Sequence, residues 1–152
     1  MTNHLSAMTN HLSASITQNE LDWARAARAA HPKMTSYGFR PGPGYSDNWE
    51  ADLSLYHLQQ VAASRRWLIA CSPWLPRATK HCVNSYIAKH RAEEWSRKNG
   101  TDVMYLSEGA LLLAAIALNV PLRRHAEPHW GAYLGVSKNV VAAMRRSYAN
   151  IA

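Results

Sequence analysis

The sequence predicts a mainly α-helical protein of about five helices, with a minor two-stranded β element or an α+β arrangement as the alternative. Capping residues precede several stretches whose apolar side chains have helical spacing. Segments rich in Pro and Gly separate these stretches. The nine residues from Ala110 to Leu118 carry no charge and are apolar on every side, which is typical of a buried central helix.

The chain length of 152 residues suits one domain, which we assign to residues 17–152. Residues 1–16 contain MTNHLSA twice and are expected to be a flexible N-terminal segment. Thr17 and Glu20 form a capping-box pattern, so the first helix should span about residues 18–30 and stop before Pro32. The Pro-Gly-Pro-Gly of residues 41–44 then predicts a surface loop.

The second helix should begin near Asp47 and Glu50 and reach at least Ser64. Its apolar stripe is expected to contain Trp49, Leu53, Tyr56 and Gln60. Residues 65–75 either continue this helix or form one short buried strand, because so brief a run has no diagnostic period.

The third helix should span about residues 78–98 and end at Asn99-Gly100. Ser107 is the expected N-cap of the apolar fourth helix, which Asn119 and Pro121 terminate. Short extended pieces are expected at Tyr105 and Leu106 before this helix and at Val120 to Leu122 after it. The last helix should begin near Ser137 and end near Tyr148.

Positive charge is concentrated in the second half of the chain. Residues 1–64 contain four basic and five acidic side chains, whereas residues 65–152 contain thirteen basic and five acidic ones, a net charge of +8. Such an excess attracts polyanions through its summed field and through counterion release. Nucleic acid, an anionic membrane surface or an acidic protein groove would each satisfy this physics. Of these partners we expect nucleic acid and not a membrane.

Motifs for catalysis, metals and cofactors are absent from the sequence. Cys71 and Cys82 are too far apart for a structural zinc pair, and no His-Glu-x-x-His occurs. The glycine-rich loop lacks the Lys-Ser/Thr of a phosphate-binding loop. No secretory signal or apolar run of membrane-spanning length is visible. We therefore expect a cytoplasmic protein with reduced thiols that is not an enzyme and has no cofactor or bound metal.

Residues 127–146 resemble the helix-turn-helix of bacterial repressors, chiefly in the phrase Leu134-Gly135-Val136-Ser137-Lys138. In this interpretation Gly135 supplies a positive φ in the turn, and Ser137 caps the second helix. A helix start with Ser, Lys and Asn suits phosphate contacts and base edges. The alternative makes residues 132–135 a short strand that leads into the C-terminal helix.

A second resemblance involves residues 85–93 together with Tyr105 and Gly109. It comprises Ser85-Tyr86, Lys89-His90, Glu93, Tyr105, Gly109 and Ala114-Ala115. This arrangement is similar to that of small uncharacterised proteins of proteobacterial phages, plasmids and other mobile elements. The resemblance implies an accessory protein of a mobile element. By themselves, Lys89, His90 and Glu93 have a spacing that suits proton transfer or, as the alternative, a stabilising pair on an exposed helix face.

We therefore expect a basic accessory protein that binds DNA or RNA with little sequence specificity. Its partner-binding residues are expected to be Arg65, Arg66, Lys89, Arg123, Arg124, Lys138, Asn139, Arg145 and Arg146. Arg and Lys would contact phosphates, while Asn139 would approach a base edge. The alternative is a phage- or plasmid-encoded inhibitor of the anti-CRISPR or anti-restriction type, which binds a host defence nucleoprotein complex. A second copy of the chain, giving a homodimer, is a further candidate partner.

Overall fold

The structure, a computed structural model, describes residues 15–39, 49–99, 101, 103, 105–126 and 131–149. This part of the chain contains five helices and a three-stranded antiparallel sheet. The helices are α1 (Gln18–Ala30), α2 (Leu55–Ala70), α3 (Ser85–Lys98), α4 (Glu108–Ala117) and α5 (Lys138–Ala149). The predicted mainly α class is confirmed, with three strands where two were expected. The duplicated MTNHLSA and the Pro-Gly-Pro-Gly segment lie outside the described residues.

Side-chain caps determine where several helices begin. Thr17 Oγ1 accepts a hydrogen bond from the Glu20 backbone N–H at 3.2 Å, and Glu20 Oε1 accepts one from the Thr17 N–H at 3.0 Å. The capping box predicted for α1 is therefore confirmed. Ser107 and Ser137 cap α4 and α5, also as predicted.

The starts of α2 and α3 differ from the prediction. Helix α2 begins at Leu55 because Ser54 is its N-cap. Residues 49–54 are not helical, so the start expected near Asp47 and Glu50 is wrong, although Asp47 itself lies outside the described residues. It continues to Ala70, which makes most of the ambiguous segment 65–75 helical. Helix α3 begins seven residues later than the predicted 78, because strand β1 (Val83–Asn84) precedes it and Asn84 Oδ1 caps it.

Helix α4 lies at the centre of the helical core, as its composition predicted. Leu111, Leu112 and Leu113 are all fully buried, and α4 contacts α1, α2 and α3. The burial of these leucines removes apolar area from water and so stabilises the fold. None of the helices in the described ranges combines the length and apolarity needed to cross a membrane.

The loop before α2 packs tightly on the first turn of α4. The Gly109 N–H donates to the Ser36 carbonyl at 3.0 Å. A Cβ at position 109 would lie only 1.8 Å from the Thr35 carbonyl oxygen, so no larger residue fits without a shift of the backbone. The contact fixes Ser36 and Tyr37 beside the N-terminal end of α4.

The sheet joins two strands that are close in sequence to a third that lies much earlier in the described chain. Strand β3 (Ala132–Leu134) lies between β1 and β2 (Leu122–Arg124) and is antiparallel to both. Ala132 and Leu134 are buried and Tyr133 between them is half-buried, which is the period of two expected of a strand. Of the two extended pieces expected beside α4, the one at Val120 to Leu122 overlaps β2 only at Leu122, and Tyr105 and Leu106 are not part of a strand.

The helix-turn-helix interpretation is wrong for the described part of residues 127–146. Ala132–Leu134 is a strand where a first helix is required, and residues 127–130 lie outside the described ranges. Gly135 does not have the expected positive φ. Gly135 is instead closely packed, since a Cβ there would lie 3.0 Å from both the Leu75 carbonyl oxygen and Pro121 Cβ. The alternative, a strand leading into the C-terminal helix, is confirmed.

Candidate functional site

Helices α3 and α5 pack together and form a surface rich in positive charge. Two adjoining depressions of about 260 and 500 Å³ share Ala142 and Arg145 in their lining. The basic side chains of this surface, which we call the cationic face, are Arg91, Lys98, Lys138, Arg145 and Arg146. Among the described residues that line the two depressions, Glu94 is the acidic one.

The spacing of residues along α3 explains this surface. Ile87, Arg91, Glu94 and Lys98 are separated by four, three and four positions, so they lie on one side of the helix. On α5, buried Val141 faces the core, while Lys138, Ala142 and Arg145 are exposed. The packing of two helices therefore gathers charges that lie about fifty residues apart in sequence.

Glu94 connects the two helices at the centre of the cationic face. Its carboxylate accepts hydrogen bonds from Arg145 Nε at 3.0 Å and from the Tyr148 hydroxyl, and it lies 3.4 Å from the Arg91 guanidinium. Partial burial acts to raise the pKa of Glu94. The hydrogen bonds from Tyr148 and Arg145 and the charges of both arginines outweigh it, so this pKa lies below its ordinary value. Burial and the bond to Glu94 raise the pKa of Tyr148 to about 12.

The cationic face contains some of the partner-binding residues expected from sequence. Lys138, Arg145 and Arg146 belong to it, and exposed Asn139 follows Lys138 in the first turn of α5. Arg91 and Lys98 also belong to it but were not among the expected partner-binding residues. Their position becomes clear only from the packing of α3 on α5.

Arg65 and Arg66 lie elsewhere, on α2, and contact α1. Arg66 Nε lies 2.6 Å from Glu20 Oε2 and forms an ion pair with it. Both side chains are largely buried. The Arg65 guanidinium lies 4.9 Å from the ring centroid of Trp23. These contacts attach α1 to α2, so neither arginine is part of the cationic face.

Arg123 and Arg124 lie on β2 and line neither depression of the cationic face. The Arg124 guanidinium lies 4.2 Å from the ring centroid of Phe39, in the loop that follows α1. Arg123 is exposed and pairs in register with Tyr133 of β3. The arginines of β2 are therefore separate from the cationic face, and as consecutive strand residues they point to opposite faces of the sheet.

Lys89 is buried, which contradicts its expected place on an exposed helix face. Its ammonium donates to the Leu106 carbonyl at 3.0 Å and lies 3.4 Å from Glu93 Oε1. Glu93 Oε2 in turn accepts from the Leu106 N–H at 3.3 Å. The predicted pair at positions i and i+4 therefore exists, but it clamps the backbone of Leu106 on both sides. The Lys89 ammonium also lies 4.5 Å from the ring centroid of Tyr105.

Lys89 and Tyr105 line a cleft of about 480 Å³ between α2, α3 and the start of α4. Four tyrosines surround this opening, and each has about half of its surface exposed. These tyrosines are Tyr37, Tyr56, Tyr86 and Tyr105. We call this feature the tyrosine cleft. Two of its tyrosine rings meet histidines edge to face, Tyr56 with His57 and Tyr86 with His90.

Two polar groups in the lining of the tyrosine cleft have no hydrogen-bond partner among the described residues. Gln60 is 1% exposed, and its Oε1 accepts from the Ser107 backbone N–H at 2.9 Å. This bond fixes the amide orientation and leaves Nε2 buried without an acceptor. His57 Nδ1 is likewise buried without a partner. Buried polar groups are nearly always paired, so such unpaired atoms beside an open cleft indicate a ligand or ordered water.

Glu108 places a carboxyl group in the same lining. Its Oε2 accepts from Ser85 Oγ at 3.1 Å, and Ser85 Oγ accepts from the Ala132 N–H at 3.0 Å. Burial raises the pKa of Glu108 above its ordinary value, although the Ser85 hydrogen bond and the charges of Lys89 and His90 oppose this. The cleft therefore contains a carboxyl group that is protonated more readily than an exposed one.

Sequence reasoning did not identify the tyrosine cleft as a site. Its signals were nevertheless present, because Tyr86, Lys89, Tyr105 and Glu93 belong to the spacing pattern compared above with mobile-element proteins. What was missing was the contribution of α2, whose residues lie some thirty positions earlier in the chain. Comparisons with protein-family models, curated proteins and solved structures gave no match, so the resemblance to mobile-element proteins stays a prediction.

Proposed function

We propose that the protein binds nucleic acid through its cationic face, chiefly by phosphate contacts and with little dependence on base sequence. The observation that carries this proposal is the convergence of five cations around a single carboxylate on the described surface of α3 and α5. Release of condensed counterions is the driving force for such binding. It requires no catalytic group, and the proposed role is that of an accessory protein of a mobile element.

The dimensions of the cationic face suit a nucleic-acid backbone. Lys138 and Arg146 are eight residues apart on α5, which is about 12 Å along a helix axis. Duplex DNA carries one negative charge per roughly 1.7 Å of its axis, so a surface of this length meets several phosphates. Asn139, exposed beside Lys138, is the side chain that would approach a base edge.

The partial neutralisation at Glu94 does not remove this attraction. Glu94 forms an ion pair with Arg145 and lies near Arg91. Lys98, Lys138 and Arg146 add three further positive charges. The face therefore keeps a net charge of about +4 by formal count, and its cations remain near solvent, where phosphate oxygens can reach them.

One observation favours the second candidate, an inhibitor that binds a host defence nucleoprotein. Ile87 is 40% exposed in the depression that Lys138 and Arg145 line, and Val141 and Ala142 lie beside it. An apolar floor with a basic rim also fits an acidic segment of a protein. This candidate predicts binding that withstands nuclease digestion of the partner.

The test is a fluorescence anisotropy titration with an unrelated duplex and an unrelated single strand at increasing salt concentration. Binding should weaken steeply with salt for both probes. A flat salt response, or no binding at low salt, would refute nucleic-acid binding. A parallel pull-down from nuclease-treated host lysate tests the second candidate, which fails if no defence complex is retained.

A further inference from the structure

The tyrosine cleft combines aromatic surfaces with hydrogen-bonding groups that are already held in place. The Lys89–Glu93 clamp fixes Leu106, and this in turn fixes Tyr105 on one side of it and the Ser107 N–H on the other. That N–H donates to Gln60 Oε1, so the orientation of the buried amide and of its unpaired Nε2 is set before any ligand binds. A preorganised donor costs little ordering entropy on binding.

We propose that the tyrosine cleft binds a nucleobase. Tyrosine rings offer flat faces on which any base can stack, whatever its sequence context. The carbonyl oxygens and ring nitrogens of bases are the acceptors that the Gln60 amide lacks. The Glu108 carboxyl and the His57 imidazole supply further groups for a base edge.

The electrostatics of the cleft distinguish a nucleobase from an organic cation. An aromatic cage for a quaternary ammonium needs uncommitted ring faces and no competing positive charge. Here the Lys89 ammonium already lies against Tyr105, 4.5 Å from the ring centroid. Burial raises the pKa of Glu108, the carboxyl in the lining, so this group ionises less readily than an exposed carboxyl. A neutral planar ring is therefore favoured over a cation.

The size of the cleft agrees with this ligand class. Pockets for small molecules commonly measure about 300 to 1,000 Å³. The cleft, at about 480 Å³, lies within this range. The nucleobase can belong to a free nucleoside or nucleotide, or to an unpaired position in a single strand.

The tyrosine cleft and the cationic face lie on different sides of α3. Tyr86 and Lys89 line the cleft, whereas Ile87 and Arg91 line the face. At about 100° per residue these two sides are roughly 150° apart around the helix axis. The base-binding inference therefore does not rest on the proposed function, and an uncharged nucleoside can test it without phosphate contacts.

The experiment is an isothermal titration of the full chain with adenosine, guanosine, cytidine and uridine, with ribose as the base-free probe. A second arm uses a short single-stranded oligonucleotide and an abasic strand of the same length. The cleft variants are Tyr56→Ala and Tyr86→Ala, whose side chains are 58% and 59% exposed in the wild type. Leu55→Ala is the matched control, because Leu55 is also 58% exposed and neighbours Tyr56 but does not line the cleft.

We expect saturable binding of at least one nucleoside, or of the base-containing strand over the abasic one. Each tyrosine variant should weaken it at least about fivefold, since a stacked base is worth about 1–3 kcal/mol. Leu55→Ala should bind as the wild type does. Gln60→Glu, which keeps the acceptor for Ser107 but replaces the unpaired donor, should weaken binding roughly two- to tenfold.

Two results would overturn the inference. One is binding in both arms that is no tighter for the base-containing probe than for the base-free probe. The other is base-dependent binding that neither tyrosine substitution changes. Nucleoside binding together with a flat salt response for duplex DNA would refute the proposed function and leave the cleft assignment intact. Salt-dependent duplex binding without any base dependence would do the reverse.

Discussion

Removal of two cations from the cationic face should change the salt dependence of DNA binding by a calculable amount. The substitutions are Lys138→Ala and Arg146→Ala, made together, because both side chains are exposed and lie at opposite ends of the face. If all five cations contact phosphates, the slope of log K against log salt is about −4.5 for duplex DNA, at about −0.9 per contact. The double variant should have a slope near −2.7.

The difference is large enough to measure. Between about 50 and 200 mM salt, wild-type affinity should fall about 500-fold, and that of the double variant only about 40-fold. Fluorescence anisotropy with a labelled duplex at several salt concentrations gives both slopes. Circular dichroism should show the same melting temperature for the variant, because neither side chain is buried.

The matched control removes two positive charges from another surface. The control variant carries Arg25→Ala and Lys33→Ala. Arg25 lies in α1 and Lys33 just after it, and both side chains are exposed and line neither depression of the cationic face. This control has the same net charge as the test variant but should keep the wild-type slope. Equal slopes for the two double variants would show that net charge alone drives binding and would refute the assignment to α3 and α5.

Three further predictions concern individual residues. Glu94→Gln should tighten duplex binding, since it removes the carboxylate of the face, and should cost up to about 1 kcal/mol of stability at neutral pH. The pKa of Glu94 is lowered in the fold, so this stabilisation is lost as pH falls through that pKa. Chemical denaturation in acid should therefore give the same free energy of unfolding for the wild type and Glu94→Gln. The pKa of Glu108 is raised by burial, so wild-type stability declines as pH rises through it. The melting temperature of Glu108→Gln should equal that of the wild type in acid and exceed it at neutral pH. The same pH profile of melting temperature for both proteins would contradict this. Gly109→Ala should lower the free energy of unfolding by at least about 1–3 kcal/mol in urea titrations, because its Cβ would meet the Thr35 carbonyl, and a neutral effect would disprove that close approach.

Features that depend on neighbouring residues could be predicted from the sequence. The capping box at Thr17 and Glu20 and the cap at Ser107 involve residues three positions apart, and both are present. The burial of α4 followed from its uncharged composition. These are local properties, so a linear sequence contains the information that they require.

Features that depend on distant residues could not be predicted in the same way. Ala132–Leu134 becomes a strand because β1 and β2 flank it, and β1 lies about fifty residues earlier in the chain. Without those partners the Gly135-Val136-Ser137 phrase resembles a helical turn. Pairing with β1 and β2 therefore makes this segment a strand and not the first helix of a helix-turn-helix.

The same limit applies to the candidate sites. The burial of Lys89 depends on Leu106 and Tyr105, which follow α3, so the spacing within α3 alone predicts an exposed position. Arg66 pairs with Glu20, which lies 46 positions earlier, and the residues around Arg66 in sequence do not indicate this partner. Charge excess in a segment predicts that a polyanion is attracted, but only packing determines which cations share one surface.

The most direct test of nucleic-acid binding by the cationic face is a map of backbone amide shifts in NMR spectra as a short duplex is added. We predict that the largest shifts fall on residues 87–98 and 138–146, and that they diminish as salt is raised. Shifts centred on Arg123 and Arg124 of β2, or spread evenly over the surface, would contradict the account.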